Sequence, residues 1–390
     1  MLLFYQILFF ATAYLMLHTY IVYPLFLWLI AKNKKNKNTL IYSANDDLPT
    51  ISVICAAYNE EKVIEEKIIS TFKTNYPKEK IKFYIGTDNC SDRTVPMIKK
   101  LQETYPALKL IEFTKRTGKI GIINKLCPEA EGEILVMTDA NVYFKENSFF
   151  ELAKHFKNQE VGMVCGNIIK RPLDKETVTV NELQYMNFEN TIKYAESKQW
   201  NIVIGAEGGC YAMRKETYKK VPGNFNVDDF FITLIVLESK KQVLYEQDAI
   251  VYEDLASNTK DEFRRKARIA TGNFQNLFYF KKLFFRVFTA TWFAYVSHKV
   301  LRWFTPFLFI FNFISCVTLI PTNFLYVPIF YAQLFLLVVP FLNWLLVKCR
   351  VKIGLFISLS HFMVMNAALF VGFVRNTKGV ASSVWEPVER

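Results

Sequence analysis

The sequence predicts an α/β domain built on buried strands, preceded and followed by helices apolar enough to span a membrane. Three observations lead there. Apolar residues gather at both ends of the 390-residue chain; between Pro49 and about Asn276, short strand-like runs alternate with helix-like ones; and polar residues recur just past the ends of those strands.

The first element is Met1 to Ile30, which carries no charged residue and exceeds the ~20 residues a helix needs to cross a bilayer. A cleaved leader has its positive charges first and a shorter apolar core, so the segment reads as an anchor. Lys32, Lys34, Lys35 and Lys37 follow it. By the positive-inside rule they place the next part of the chain in the cytoplasm; the membrane expected for it is the plasma (inner) membrane. At the far end, Val300 to Ile320, Phe324 to Val347 and Ile353 to Val374 are candidate spans, and Lys348, Arg350 and Lys352 favour a cytoplasmic loop between the last two. Three spans put the C-terminus outside; a re-entrant or interfacial segment among them would return it. The expected organisation is an anchor at 1–31, a cytoplasmic domain at 48–275, an amphipathic interfacial region at 276–298, a bundle of about three helices at 299–375 and a tail at 376–390.

Composition narrows the function classes. The chain is 52% hydrophobic and 16% aromatic, and its net charge of +12 suits either anionic headgroups or an anionic nucleotide. No concentrated basic helix or aromatic RNA-binding signature accompanies that charge, which speaks against nucleic acid. Seven scattered cysteines form no C-x-x-C pair and read as reduced thiols. The four histidines, His18, His155, His298 and His361, lie far apart in sequence, against histidine-based zinc or triad chemistry. Nothing in the sequence speaks to oligomeric state.

Within the central domain, Ile51 to Ala57 is a β-rich run followed by Tyr58-Asn59-Glu60-Glu61 and a helical pattern from Val63 to Phe72. Lys82 to Gly86 is a second strand, ending in Thr87-Asp88-Asn89-Cys90-Ser91-Asp92. Ile134 to Met137 is a third, ending in Thr138-Asp139-Ala140-Asn141. Open α/β sheets place ligands at such carboxyl ends. An Asp or Asn after a strand is by itself more often a turn former or helix cap. Three such ends in one domain shift the reading towards a site.

Together these residues resemble the family 2 glycosyltransferases, inverting enzymes of GT-A fold that include cellulose, chitin and hyaluronan synthases. The resemblance implies a Rossmann-like nucleotide-sugar domain, with Ala57, Tyr58, Asn59 and Glu60 beside the nucleotide and Asp88 on the base or ribose. Asp92 completes a D-x-S-x-D-like loop, here Asp88-Asn89-Cys90-Ser91-Asp92. Gly118-Lys119 and Asn124 match a Gly-Lys segment leading to Leu-Asn, where a lysine neutralises the leaving diphosphate. Alone, Lys119 would more often be a solvated surface residue. The family's Asp-x-Asp metal motif reads Asp139-Ala140-Asn141, still an all-oxygen donor pair for Mg2+ or Mn2+, with less electrostatic attraction from the neutral amide.

Gly205 to Tyr211 matches the glycine-rich segment beside donor sugar and acceptor, which puts Glu207, Gly208 and Gly209 in the acceptor pocket; equally, it reads as an ordinary turn. Asp228-Asp229-Phe230 matches the acid pair whose second member is the base, so the resemblance assigns Asp229 as base and Asp228 as its support. The same acids also suit a helix N-terminus. Where processive members carry Gln-x-x-Arg-Trp, this chain has Arg265-Lys266-Ala267-Arg268-Ile269. Arg265 and Arg268 remain to clamp the diphosphate or face anionic lipid, but the sugar-stacking tryptophan is missing, against long-chain polymerisation. The aromatic and basic stretch from Phe274 to Phe293 resembles an interfacial helix, and Trp385 to Arg390 resembles the end of some relatives. The expected function is inverting sugar transfer from a nucleotide sugar, UDP-linked in the first instance, to a glycan or lipid-linked acceptor. The rivals are a polyprenyl-phosphate sugar transferase, which shares the donor site, and a catalytically dead scaffold or transporter. The joint presence of Asp88, Asp139, Asp229 and Arg268 speaks against the last.

Overall fold

A computed structural model describes residues 1–34, 38–172, 180–255 and 259–379. The expectations resting on Lys35, Lys37 and Trp385 to Arg390 lie outside them. The chain forms two compact units. One runs from Ile30 to Ser257; the other joins Met1–Leu29 to Asn258–Gly379.

In chain order the first helical elements are α1 (Leu2–Leu17), a π-helical turn (His18–Val22) and α2 (Tyr23–Ala31). The 30–257 unit then follows as β1 (Ile51–Ala57), α3 (Ile64–Phe72), β2 (Ile81–Asp88), α4 (Thr94–Thr104), β3 (Leu108–Phe113), α5 (Gly118–Glu129), β4 (Ile134–Asp139) and β5 (Val142–Phe144). It continues as α6 (Ser148–Ala153), β6 (Val161–Pro172), α7 (Val180–Trp200), β7 (Cys210–Arg214), α8 (Asp228–Glu238) and β8 (Gln242–Leu255). The eight strands make one sheet in the order β3-β2-β1-β4-β7-β6-β8-β5. Its first four strands are mutually parallel, β7 runs antiparallel to both β4 and β6, and β6 and β8 are again parallel.

The parallel half explains itself from the residues. β1 reads Ile-Ser-Val-Ile-Cys-Ala-Ala, and six of its seven side chains are buried, because a central parallel strand is covered on both faces and has no reason to alternate. On one face Val53, Cys55 and Ala57 join a core with Ile64, Ile68 and Phe72 of α3. On the other, α5 lies so close to β2 that a side chain at Gly86 would collide with Ile122. Register then fixes the edge that matters: Ala56 is paired with Gly86 on one side and Asp139 on the other. The chain builds outward from β1 to β3 and returns to β4 on the far side of β1. That reversal opens the crevice in which open α/β sheets take their ligands. The sheet is thus mixed α/β of GT-A type, as the sequence predicts.

The other unit supplies α9 (Thr259–Tyr279), α10 (Lys281–Phe284), α11 (Ala290–Ala294), a π-helical stretch (Tyr295–Val300), α12 (Leu301–Leu319), α13 (Tyr326–Lys348) and α14 (Gly354–Thr377). Four helices among the described residues are long and apolar enough to cross a membrane: Leu2–Ala31, Ala290–Thr322, Tyr326–Lys348 and Gly354–Thr377. Inside this unit Asn312 donates from Nδ2 to Phe9 O (2.8 Å) and Thr12 Oγ1 (2.9 Å), and Gln333 Nε2 donates to Asn312 Oδ1 (2.7 Å). One amide network therefore ties α1, α12 and α13 together, the usual polar glue between apolar helices.

The stretch from Phe274 to Phe293 departs from expectation: it is not one helix. α9 ends at Tyr279, α10 lasts four residues, and Phe288 adopts a positive φ of 67°. Thr289 then starts a new helix by accepting the Trp292 N–H on its hydroxyl.

Candidate active site

Two loops at the carboxyl edge are first sewn to each other. Asn59, in the left-handed region at φ 53°, accepts the Ser91 N–H on Oδ1 at 2.9 Å, and its amide donates to Ser91 Oγ at 3.1 Å. Asp92 accepts the Glu61 N–H at 3.1 Å and the Thr94 N–H at 3.0 Å. Glu60 is buried, its N–H bound to Thr94 Oγ1 at 2.8 Å. Asn59, Glu60 and Asp92 therefore shape the crevice by joining the ends of β1 and β2, with Ala57 as the last, buried residue of β1.

Asp88 is only 2% exposed and its carboxylate is heavily engaged. Oδ1 accepts the Thr117 N–H (2.5 Å), and Oδ2 accepts the Gly118 N–H (3.0 Å) and Arg116 Nε (3.0 Å). An aspartate from β2 thus caps the N-terminus of α5, where backbone N–H groups lack intrahelical partners. Gly118 sits at φ +76°, a conformation that favours glycine and lets the chain enter the helix there. The Arg116 guanidinium in turn lies 3.5 Å from the centre of the Tyr58 ring. The consequence is that Lys119, on the first turn of α5, is aimed by Asp88.

Lys119 is the centre of the cluster. Its Nζ donates to Asp139 Oδ1 at 2.9 Å and stands 3.5 Å from Asp228 Oδ2. Asp229 follows Asp228 at the start of α8; its Oδ1 accepts its neighbour Phe230's N–H at 2.6 Å. Gly208 completes the ring: a Cβ there would fall 3.1 Å from both Asp229 Oδ2 and Lys119 Nζ. Gly209 faces another way, where a Cβ would press on Ile168 and Val142. Three carboxylates thus converge on one ammonium around a glycine that leaves room beside them.

The electrostatics follow. Burial alone would lower the Lys119 pKa, but Asp139, Asp228 and Asp229 more than offset it and hold the amine protonated. For Asp139, burial pushes the carboxyl up and the Lys119 ammonium outweighs it, leaving the group below its ordinary value. Asp229 goes the other way: burial first, then the charge of Asp228, raise it to about 7 against the pull of Lys119. Glu207 pairs with Lys193 of α7, which overcomes the effect of burial and keeps that carboxyl below its usual range.

The structure therefore brings together Lys119, Asp139, Asp228, Asp229 and Gly208, with Asn141 in the same turn as Asp139. It uses Asn124 differently. The Asn124 amide donates to Val221 O (2.8 Å), and its oxygen accepts Val221 N–H (2.9 Å) and Tyr218 Oη–H (2.8 Å), so its polar atoms clamp the 218–221 segment. This departs from the donor contact expected for it. Arg265 and Arg268 lie on α9 in the other unit. Sequence reading missed Lys67 of α3, fully buried, with its ammonium drawn down by burial to about 8. Its signal was present: Lys67 falls in phase with Ile64, Ile68, Thr71 and Phe72 on the inward face of the helix.

The donor set suits a hard divalent cation. The Asp139 side chain is 41% exposed at the strand end, and the carboxylates around Lys119 outnumber its single positive charge.

Known proteins resemble this chain in sequence and in fold. The profile of glycosyl transferase family 2 matches residues 52–221. The probable glycosyltransferase YdaM of Bacillus subtilis is 25% identical over 293 residues, 72% of this chain and 68% of that one. The poly-beta-1,6-N-acetyl-D-glucosamine synthase of Staphylococcus epidermidis is 24% identical over 238 residues, 61% of this chain and 56% of that protein's length. Among solved structures, a mannosyltransferase from Pyrobaculum calidifontis in complex with GDP-Man and Mn2+ superposes with a TM-score of 0.68. It is 21% identical, and the match covers 95% of this chain and 99% of that one. That likeness establishes the fold.

Proposed function

Residues 52–221 are a family 2 glycosyltransferase domain, and from that premise we propose that this protein moves a sugar, with inversion, from a nucleotide-sugar donor to a glycan or lipid-linked acceptor at the cytoplasmic face of a membrane. The single observation that carries the reading is the convergence of Lys119, Asp139, Asp228 and Asp229 at the switch point of the sheet.

Each residue has work suited to its environment. An inverting transfer needs one carboxylate to take the acceptor hydroxyl's proton as that oxygen attacks the anomeric carbon from the side opposite the leaving diphosphate. Asp229 suits the task. Its Oδ1 is fixed by a backbone N–H, its Oδ2 is the oxygen nearest the open side of Gly208, and its raised pKa near 7 makes it a better proton acceptor than an ordinary aspartate. Asp228 orients Lys119 and raises the basicity of Asp229. Lys119 offers its positive charge to the departing diphosphate. Asp139 and Asn141 would hold the Mg2+ or Mn2+, whose chemistry is to neutralise the phosphate oxygens of the leaving group. Asp88 and Arg116 set the loop that carries Lys119, and the Tyr58 ring packed on Arg116 supplies a flat surface for a base.

Two supports lie outside the cluster. The relatives' names speak of glycosyl transfer and N-acetylglucosamine polymers, and the four apolar helices suit an acceptor that arrives at the membrane. The decisive experiment incubates purified protein with a panel of UDP- and GDP-sugars, Mn2+ or Mg2+ and membrane extract, and identifies products by mass spectrometry. A product of inverted anomeric configuration is expected from one donor. Hydrolysis alone, or no turnover with any donor, refutes the reading; sugar recovered on a polyprenyl phosphate would assign the rival acceptor.

A further inference from the structure

A buried cation lies behind the acid cluster, and the chemistry above does not use it. Lys67 is 0% exposed, and an ammonium taken so far from water persists only where its N–H groups find acceptors. They do. Nζ donates to Thr138 Oγ1 at 2.7 Å and to Val142 O at 2.5 Å, and it lies 4.0 Å from the centre of the Phe144 ring. Thr138 and Val142 are the residues immediately before and after Asp139-Ala140-Asn141. One ammonium therefore closes the base of the turn that carries the proposed metal donors. Thr138 carries the link onward: the hydroxyl that accepts from Lys67 donates to Gly209 O at 2.9 Å, next to Gly208.

We infer that Lys67 is a positioning residue for cation and diphosphate binding, fixing the Asp139-Ala140-Asn141 turn and the Gly208-Gly209 segment in one geometry without touching a reactant. This rests on the reading that the turn holds a divalent cation. β4 ends at Asp139 and β5 begins at Val142, so the backbone between them has lost its sheet partners and needs another restraint. Lys67 reaches both flanks from a helix packed in the core, and a helix is a stiffer support than a loop. Groups that orient metal ligands from behind typically change metal affinity by about 10–100-fold when removed.

The test measures Mn2+ binding rather than turnover. Full-length protein in detergent is titrated with Mn2+ in the presence of UDP, with free Mn2+ read by electron paramagnetic resonance, and metal-free UDP affinity and melting temperature are measured alongside. Lys67→Met keeps the alkyl stem and loses the donors; its Mn2+ affinity should fall about 10–100-fold while metal-free UDP affinity holds. Thr138→Val should shift Mn2+ affinity in the same direction, and Lys67→Arg should restore part of the loss. Unchanged or tighter Mn2+ binding in Lys67→Met, with only a lower melting temperature, overturns the inference and leaves a purely structural lysine. If that variant does not fold, normal Mn2+ affinity in Thr138→Val overturns it. Wild-type protein that binds no Mn2+ at all would refute the cation reading itself, a result distinct from the others.

Discussion

Lys119 Nζ stands 2.9 Å from Asp139 Oδ1, which joins the first turn of α5 to the end of β4. One residue comes from a Gly-Lys segment and the other from an Asp-x-Asn turn, and 19 residues separate them in the chain. Their contact joins two motifs that are weak singly, because it sets a lysine within hydrogen-bonding distance of a strand-end carboxylate and beside two more acids.

Metal dependence follows from Asp139. Excess chelator should abolish transfer, and Mn2+ or Mg2+ should restore it. Asp139→Ala should raise the metal concentration required for half-maximal activity and leave Lys119 only its longer, 3.5 Å contact with Asp228. Full activity in chelator would remove the metal from the mechanism.

The base assignment predicts a split between chemistry and binding. Asp229→Asn keeps size and hydrogen bonding but accepts no proton, so kcat should fall by roughly 10²–10⁴-fold. UDP affinity by calorimetry should stay near the wild-type value. Near-normal transfer would move the search to Asp228 or Glu207; of these, Glu207 is already committed to Lys193.

The elevated Asp229 predicts two opposite pH trends. Only its carboxylate takes a proton, so kcat/KM should rise with pH and reach half its plateau at about 7. Stability runs the other way. A carboxyl raised from 3.8 in this way favours the folded protein fully below its unfolded value, and that contribution is lost as pH climbs through about 7. Melting temperature and rate measured across this window should both flatten in Asp229→Asn. A wild-type rate independent of pH between the two values contradicts the assignment.

Asp88→Ala should damage binding through the fold. It leaves the Thr117 and Gly118 N–H groups and Arg116 without their acceptor. Each buried donor left unmade costs about 1–3 kcal/mol, so the melting temperature should drop and UDP affinity should weaken as Lys119 loses its aim. Asp88→Asn, which retains one acceptor oxygen, should recover part of both. Weakened UDP binding with unchanged stability would instead mean that Asp88 contacts the nucleotide directly.

Product length tests the Arg265-Lys266-Ala267-Arg268-Ile269 segment. Without the tryptophan that holds a growing chain, the purified protein should add one or a few sugars per acceptor. A long homopolymer made by this protein alone would contradict that, whatever the name of its polymer-forming relative.

The sequence by itself determined the elements whose signal is local. β1, β2 and β4 are short, apolar runs with polar ends, and a buried parallel strand must look like that; the four long apolar helices are equally plain, because length and composition decide them. Asp88, Lys119, Asp139 and Asp229 were legible as candidates because they sit at strand ends or helix starts. Only tertiary structure decided what they do to one another. Asp88 is the helix cap that aims Lys119, since the cap and its helix are brought together by β2 and β3 pairing in parallel register. Asn124 turned from donor contact to loop clamp because the 218–221 segment lies across it. The long strands β6 and β8 escaped a local reading, as their pairing crosses some eighty residues of chain. Lys67 escaped for a related reason. A lysine on an apolar helix face looks like an error in a pattern until the acceptors that satisfy it, Thr138 and Val142, arrive from 71 and 75 residues away.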